Sequence, residues 1–419
     1  MNIHYHDAEE LDRCKKLIAS IIEKHKGRYG WIDCGRTKAD RFAEEMIAVL
    51  EKCGETENML LALDIACLVL EEAVQAFQYA DDSDGDIGWL ADEALEAIDG
   101  AIADNVEWEP ELRQQVFHKL LRQSDSAVLE GWEDYKVALL GMCARFADVN
   151  TLRHTLKAKI DDSIHTNATQ EGRRYTSEAL NKVWLGVLQE YGKEEETEQF
   201  IADNLHYSSF RETLINKFMR EKNYPRVVEL AVEGEQQDGN YAGLVLQWQE
   251  IRYAAYRELQ RKEDQAQLAE QLLLAGKFEY YNELQQLAGE DRDALYDRLK
   301  QQLKMEQGWR AQGMYLRLIS EANDLDEMMA YVKENPDVIE SYADRLAGKF
   351  GDEISDIYSA HVRKTASLAT KRKGYQKVCD MLRRYRKIAG SANQASLIGE
   401  LRDSYANKSA FMDELDRVK

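Results

Sequence analysis

Residues 268–288 read Leu268-Ala269-Glu270-Gln271-Leu272-Leu273-Leu274-Ala275-Gly276-Lys277-Phe278-Glu279-Tyr280-Tyr281-Asn282-Glu283-Leu284-Gln285-Gln286-Leu287-Ala288. Apolar residues spaced by three and four run into a short Gly-Lys turn, and an aromatic residue then opens a second helical pattern. The same arrangement, a helix, a polar turn and an aromatic or leucine, recurs at Lys222-Asn223-Tyr224, Asn323-Asp324-Leu325 and Lys373-Gly374-Tyr375. With Gly276-Lys277-Phe278 these turns lie 54, 47 and 50 residues apart. One amphipathic helix pair cannot bury its apolar face alone, so pairs repeated along a chain are expected to stack on their neighbours and form a concave surface.

Within that stretch Leu268, Ala269, Leu272, Gly276 and Ala288 fit part of the tetratricopeptide spacing, although Tyr281 stands where a small residue is usual. Outward from it, helical periodicity continues. Leu11, Cys14, Leu17, Ile18, Ile21 and Ile22 form one stripe, and Met59, Leu63, Ala66, Leu70, Val74 and Phe77 form another. Leu60, Leu61, Leu68 and Val69 widen the second stripe, as expected of a helix lying between others. No sustained alternation of apolar and polar residues indicates a sheet. Pro110, Pro225 and Pro336 each precede an apolar helical pattern, where a missing N–H costs little. The reading is an all-α protein, an α-solenoid of stacked antiparallel helix pairs with tetratricopeptide-like, irregular repeats. Residues 1–105 are read as an N-terminal helical module and 106–419 as a solenoid continuous with it, with loops at 81–86, 167–173 and 307–312.

The 419 residues include 55 Lys+Arg against 77 Asp+Glu, a net charge of -22 that disfavours nucleic-acid binding over the whole surface. An apolar share of 44% excludes a wholly disordered chain. Cys14, Cys34, Cys53, Cys67, Cys143 and Cys379 form no CxxC pair or regular frame, which fits reduced thiols and a cytoplasmic protein. The start, Asn2-Ile3-His4-Tyr5-His6-Asp7, has neither a basic nor an apolar stretch, so no signal peptide is expected. The most apolar segment, residues 59–70, contains Asp64 and is too short to span a bilayer.

The motifs of phosphate, dinucleotide and zinc chemistry are missing, as is the GxSxG of a serine hydrolase. No enzyme activity and no cofactor is expected. His4 and His6 are read as part of a terminus, and Asp161, Asp162 and His165 as a solvated helix end. Asp81-Asp82-Ser83-Asp84-Gly85-Asp86-Ile87-Gly88 looks like a calcium loop, but placing Gly85 sixth puts Ala80 first and Ala91 twelfth, where carboxylates are required. It is therefore expected to be a turn, with Gly85 at positive φ and Asp86 capping the next helix. Its acids, Asp81, Asp82, Asp84 and Asp86, remain candidates for an acidic docking loop.

The strongest candidate surface is a charge reversal. Residues 361–390 hold Arg363, Lys364, Lys371, Arg372, Lys373, Lys377, Arg383, Arg384, Arg386 and Lys387 against Asp380 alone. That is +9, while the rest of the chain carries -31. Tyr375 and Tyr385 interleave with the cations. Such a stripe can contact phosphates while tyrosines stack on bases, pair with an acidic protein, or pair with the chain's own acidic surface.

Two stretches also resemble a family. Gly30-Trp31-Ile32-Asp33 with the helical residues 38–52, and then the acidic segment 81–88, are similar to the helical region that follows the zinc finger in bacterial SWIM zinc-finger proteins. Residues 375–386, Leu397-Ile398 and the ending Phe411-Met412-Asp413-Glu414-Leu415 resemble the tail of that region. The similarity covers most of the chain. It implies a tetratricopeptide-like region working beside a Swi/Snf-type helicase in DNA or protein interaction, as part of a longer protein or as a stand-alone relative. The family's CxC and CxH ligands are absent, so zinc is not implied here. The expected function is a non-enzymatic repeat scaffold for protein–protein interaction, with nucleic-acid binding through 361–390 as the alternative and no membrane partner.

Overall fold

The computed structural model describes residues 2–27, 30–32, 39–168 and 174–418. Asp33, Cys34 and residues 169–173 of the expected loop lie outside the described residues, as do the side chains of His4 and His6. The fold is all-α, a helical-repeat solenoid in which helices adjacent in sequence pack on one another. Among the described residues no strand forms, and one isolated bridge joins Ile32 to Ala80. No helix among them is long and apolar enough to cross a membrane.

The chain divides into two compact units, Met1–Asn216 and Lys217–Lys419. Helices α1 (Asn2–His25), α2 (Ala39–Leu50), α3 (Met59–Ala76), α4 (Asp86–Ala101), α5 (Pro110–Gln123), α6 (Glu133–Cys143), α7 (Asn150–Ala168), α8 (Arg174–Tyr191), α9 (Glu194–Asp203) and α10 (Ser208–Arg220) come first. The centre of the first unit is α3, whose broad apolar stripe buries residues from Leu61 to Ala76 against α1, α2 and α4. Its start is capped by Asn58, whose Oδ1 accepts from the Leu60 and Leu61 amides. One hydrophobic cluster runs from Cys14 to Val187, so the sequence-based division near residue 105 falls within a continuous core.

The second unit continues with α11 (Tyr224–Gln237), α12 (Ala242–Glu258), α13 (Lys262–Leu274), α14 (Tyr280–Ala288), α15 (Arg292–Met305), α16 (Trp309–Glu321), α17 (Leu325–Glu334), α18 (Ile339–Leu368), α19 (Arg372–Ser404) and α20 (Ser409–Leu415). Each packs on the next, and from α12 onward they share a hydrophobic cluster that extends from Tyr253 to Leu415. Two of them are broken helices, α18 at Phe350 and α19 at Gly390 (φ 86°, ψ 169°).

Four turns in this unit share one geometry. Lys222, Gln260, Gly276 and Asn323 adopt φ of 58°, 58°, 109° and 51°. In each, the next residue's amide reaches back five positions: Asn223 to Phe218, Arg261 to Tyr256, Lys277 to Leu272 and Asp324 to Ile319, at 2.8–3.0 Å. The left-handed residue itself bonds three positions back, which completes a Schellman stop and satisfies carbonyls the helix end would otherwise leave open. Three of the turns expected from sequence thus share a physical cause. The fourth, Lys373-Gly374-Tyr375, is not a turn but the beginning of α19, whose N-cap is Lys371. Gln260 supplies a stop that the aromatic pattern does not mark. Tyrosine hydroxyls then tie elements together, with Tyr253 donating to Glu283, Tyr296 to Asp324 and Tyr315 to Glu327. Burial, reinforced by the neighbouring carboxylate, pushes all three phenols up, so they remain protonated donors.

Candidate interaction surface

The basic segment covers the end of α18, the short connection to α19 and the first half of α19. Five of its ten cations are held by carboxylates of this chain. Arg363 Nε and Nη2 donate to the two oxygens of Glu400 at 2.7 and 2.8 Å, and Lys364 Nζ reaches Asp337 at 2.6 Å. Arg372 Nε donates to buried Glu414 at 2.7 Å, Arg383 Nη1 to Asp380 at 2.5 Å and Arg384 Nη2 to Asp344 at 2.7 Å. These guanidinium hydrogen bonds hold Glu400 and Glu414 below the ordinary carboxylate range.

The tyrosines occupy different positions from those expected of base-stacking residues. Tyr375 is buried, with its ring stacked on Phe411 at 4.8 Å. Tyr385 is buried against Tyr358 at 5.9 Å, and its hydroxyl lies 2.9 Å from Ser355 Oγ. Both belong to the inward stripe of α19 with Val378, Met381 and Leu382, so their faces are used inside the unit. The interleaving seen in sequence is the ordinary alternation of buried and exposed positions on an amphipathic helix.

What remains is a smaller set. Lys371, Lys373, Lys377, Arg386 and Lys387 are exposed and have no hydrogen-bond or ion-pair partner among the described residues. At 100° per residue, Lys373, Lys377 and Lys387 fall within about 80° of one another over roughly 21 Å of helix. The sequence leaves pairing with the chain's own acidic surface open but does not say which acids take part, because Glu400, Asp337, Asp344 and Glu414 lie far away along the chain.

The acidic loop is a turn, with its roles redistributed. Gly85 is the N-cap of α4 in the left-handed conformation, φ 84°. The capping side chain is Asp82, whose Oδ1 accepts from the Ile87 amide at 2.7 Å; α4 already begins at Asp86. Asp81 Oδ1 accepts from the Ser83 amide at 3.0 Å, and Asp84 is exposed. Ile32 N donates to Tyr79 O at 2.7 Å, which sets the Gly30-Trp31-Ile32 segment beside the start of this loop. Among the described residues no group of three His, Cys, Asp or Glu side chains could hold a metal ion. Asp161 is paired with Lys157, while Asp162 and His165 are exposed on α7. Burial pushes the Cys53 and Cys379 thiols up to about 11 and Cys67 to about 12, away from nucleophilic character.

These features define an all-α helical-repeat protein with a partly neutralised basic surface on its C-terminal helices. No protein-family model and no curated protein matches the chain.

Proposed function

We propose that the protein is a non-enzymatic repeat scaffold that docks an acidic surface of a protein partner on the exposed face of α19. The observation that carries this reading is the set of five cations without a partner among the described residues, of which Lys373, Lys377 and Lys387 share one face of α19, on a chain of net charge -22. Unpaired lysines in so acidic a protein have an abundance of carboxylates to choose from. A face left without any retains its full electrostatic attraction for an external one. A protein carboxylate surface is favoured over nucleic acid because Tyr375 and Tyr385, the aromatic platforms of a base-stacking site, are buried. The resemblance to the helical region of SWIM zinc-finger proteins supplies a context for the partner, a Swi/Snf-type helicase assembly.

The test compares the protein with a Lys373→Glu, Lys377→Glu, Lys387→Glu variant as bait in affinity capture from its own cells. The reading expects a stoichiometric protein partner that the variant loses. Recovery of no partner, or equal recovery by both, overturns it. Fluorescence anisotropy with labelled single- and double-stranded DNA runs in parallel. Salt-sensitive DNA binding that the variant loses replaces the protein partner with nucleic acid.

A further inference from the structure

The second unit contains a cavity of about 520 Å³ between the end of α15, the start of α16 and α17. Its aromatic side chains are Trp309, Tyr315 and Tyr331, and its carboxylates are Glu306, Glu327 and Glu334. Tyr315 and Tyr331 meet edge to face at 6.4 Å. Trp309 is 81% exposed, an unusual state for the side chain with the largest apolar area. Its position follows from Gly308, whose φ of 123° and ψ of 157° turn the chain sharply before α16 begins at Trp309.

The cavity already holds one cation of its own. Lys304 Nζ is paired with Glu327 and stands 5.7 Å from the Tyr315 ring centre. Burial opposes ionisation of Glu327, but hydrogen bonds from Lys304 and Tyr315 outweigh it and keep the carboxylate ionised. Arg310, which does not line the cavity, has its guanidinium 5.8 Å from the Trp309 ring centre. Aromatic faces beside carboxylates are the surroundings that a desolvated cation prefers. Glu306 and Glu334 make no ion pair among the described residues, so the wall carries two carboxylates beyond the one that Lys304 neutralises.

We infer that this cavity is a binding site for a cationic side chain, an arginine or lysine presented by a peptide segment of a partner protein. The side chain lies against Trp309 and Tyr331, with its charge between Glu306 and Glu334. The site goes beyond the proposed docking face on α19, since it has the opposite charge and takes a different class of ligand. It stands or falls without that face.

The test uses a fluorescein-labelled nine-residue peptide of alanines and glycines with one central arginine, and the same peptide carrying citrulline, which keeps the shape and removes the charge. The full-length protein is titrated with each and compared with Trp309→Ala and with Glu306→Gln, Glu334→Gln. A control variant, Glu194→Gln, Glu195→Gln, removes two acids from α9 in the other unit. Saturable one-to-one binding of the arginine peptide is expected, with citrulline abolishing it. Both cavity variants should weaken it roughly five- to tenfold, as loss of a cation–π contact or of paired carboxylates implies. Because the mutated side chains are exposed, an unchanged circular-dichroism melt establishes that the variants are folded. Absence of binding, binding that does not saturate, or equal weakening by the control variant overturns the inference. Binding replaced by concentration-dependent self-association in sedimentation, lost in Trp309→Ala, also overturns it and assigns the cavity to a second copy of this chain.

Discussion

Asp148 and Arg113 show how one pair carries a pH dependence. Arg113 is almost wholly buried and gives Asp148 a two-pronged hydrogen bond, 2.8 Å from Nη1 and 2.6 Å from Nη2, while Nη2 also reaches Asn105 at 3.1 Å. The guanidinium hydrogen bonds hold the Asp148 carboxyl below its ordinary 3.8. As pH falls, the unfolded chain therefore takes up this proton before the folded one does. The stabilisation is full well above pH 3.8, begins to fall as pH approaches that value and is gone once pH has dropped through the lower folded value. Asp148→Asn should lower the melting temperature at pH 7, and the difference from the parent should shrink steadily below pH 4. A constant difference across a pH series of thermal melts would remove the assignment. The Schellman residues make a second prediction. Gln260 holds a left-handed conformation that costs a side-chain-bearing residue more than it costs glycine, so Gln260→Gly should stabilise by about 0.5–1 kcal/mol after the entropy loss. Gly276→Ala, at φ 109°, should destabilise by about 1 kcal/mol. Chemical denaturation of the two variants measures both signs.

Among the elements, α19 is the most informative. It is legible in sequence as a basic amphipathic stretch, but its interruption at Gly390 is not. There φ 86° and ψ 169° lie in a region essentially reserved for glycine, and Gln394 Nε2 bonds back to Leu382 O at 3.2 Å across the break. The second half of the helix can then return Leu397 and Leu401 to the core. Gly390→Ala should cost about 1–3 kcal/mol and speed hydrogen exchange at the amides of residues 394–401 over those of 375–385. A uniform change along α19 would count against a local break. The helix-ending turns behave in the same way. The signal at 276–278 was readable because glycine and an aromatic stood together, whereas Gln260 has no distinguishing chemistry and Lys373-Gly374 resembles a turn while starting a helix. Local composition reports the tendency to end a helix, and packing decides where it ends.

At the scale of the whole molecule, the charge of -22 is the dominant electrostatic fact. Most of the ion pairs are solvent-exposed and contribute about 0–1 kcal/mol each, so salt removes little by screening them. The uncompensated negative charge repels itself over a longer range, and salt weakens that repulsion as well. The net effect should be a melting temperature that rises from 20 mM to 500 mM sodium chloride at constant pH. A falling one would mean that the pairs outweigh the repulsion.

The amino-acid order by itself determined the all-α class, the stacking of neighbouring helix pairs and the absence, among the described residues, of a helix long and apolar enough to cross a membrane. Those properties depend on periodicities and lengths within some twenty residues, which are written consecutively in the chain. Only the tertiary structure decided what the basic segment has to offer. Arg363, Lys364, Arg372 and Arg384 meet carboxylates 27–42 positions away, and Tyr375 meets Phe411. The same holds for the cavity at Trp309, assembled from three helices with no shared motif. A charge or a ring has the same letter whether it is satisfied or free, and burial and pairing between distant residues make the difference.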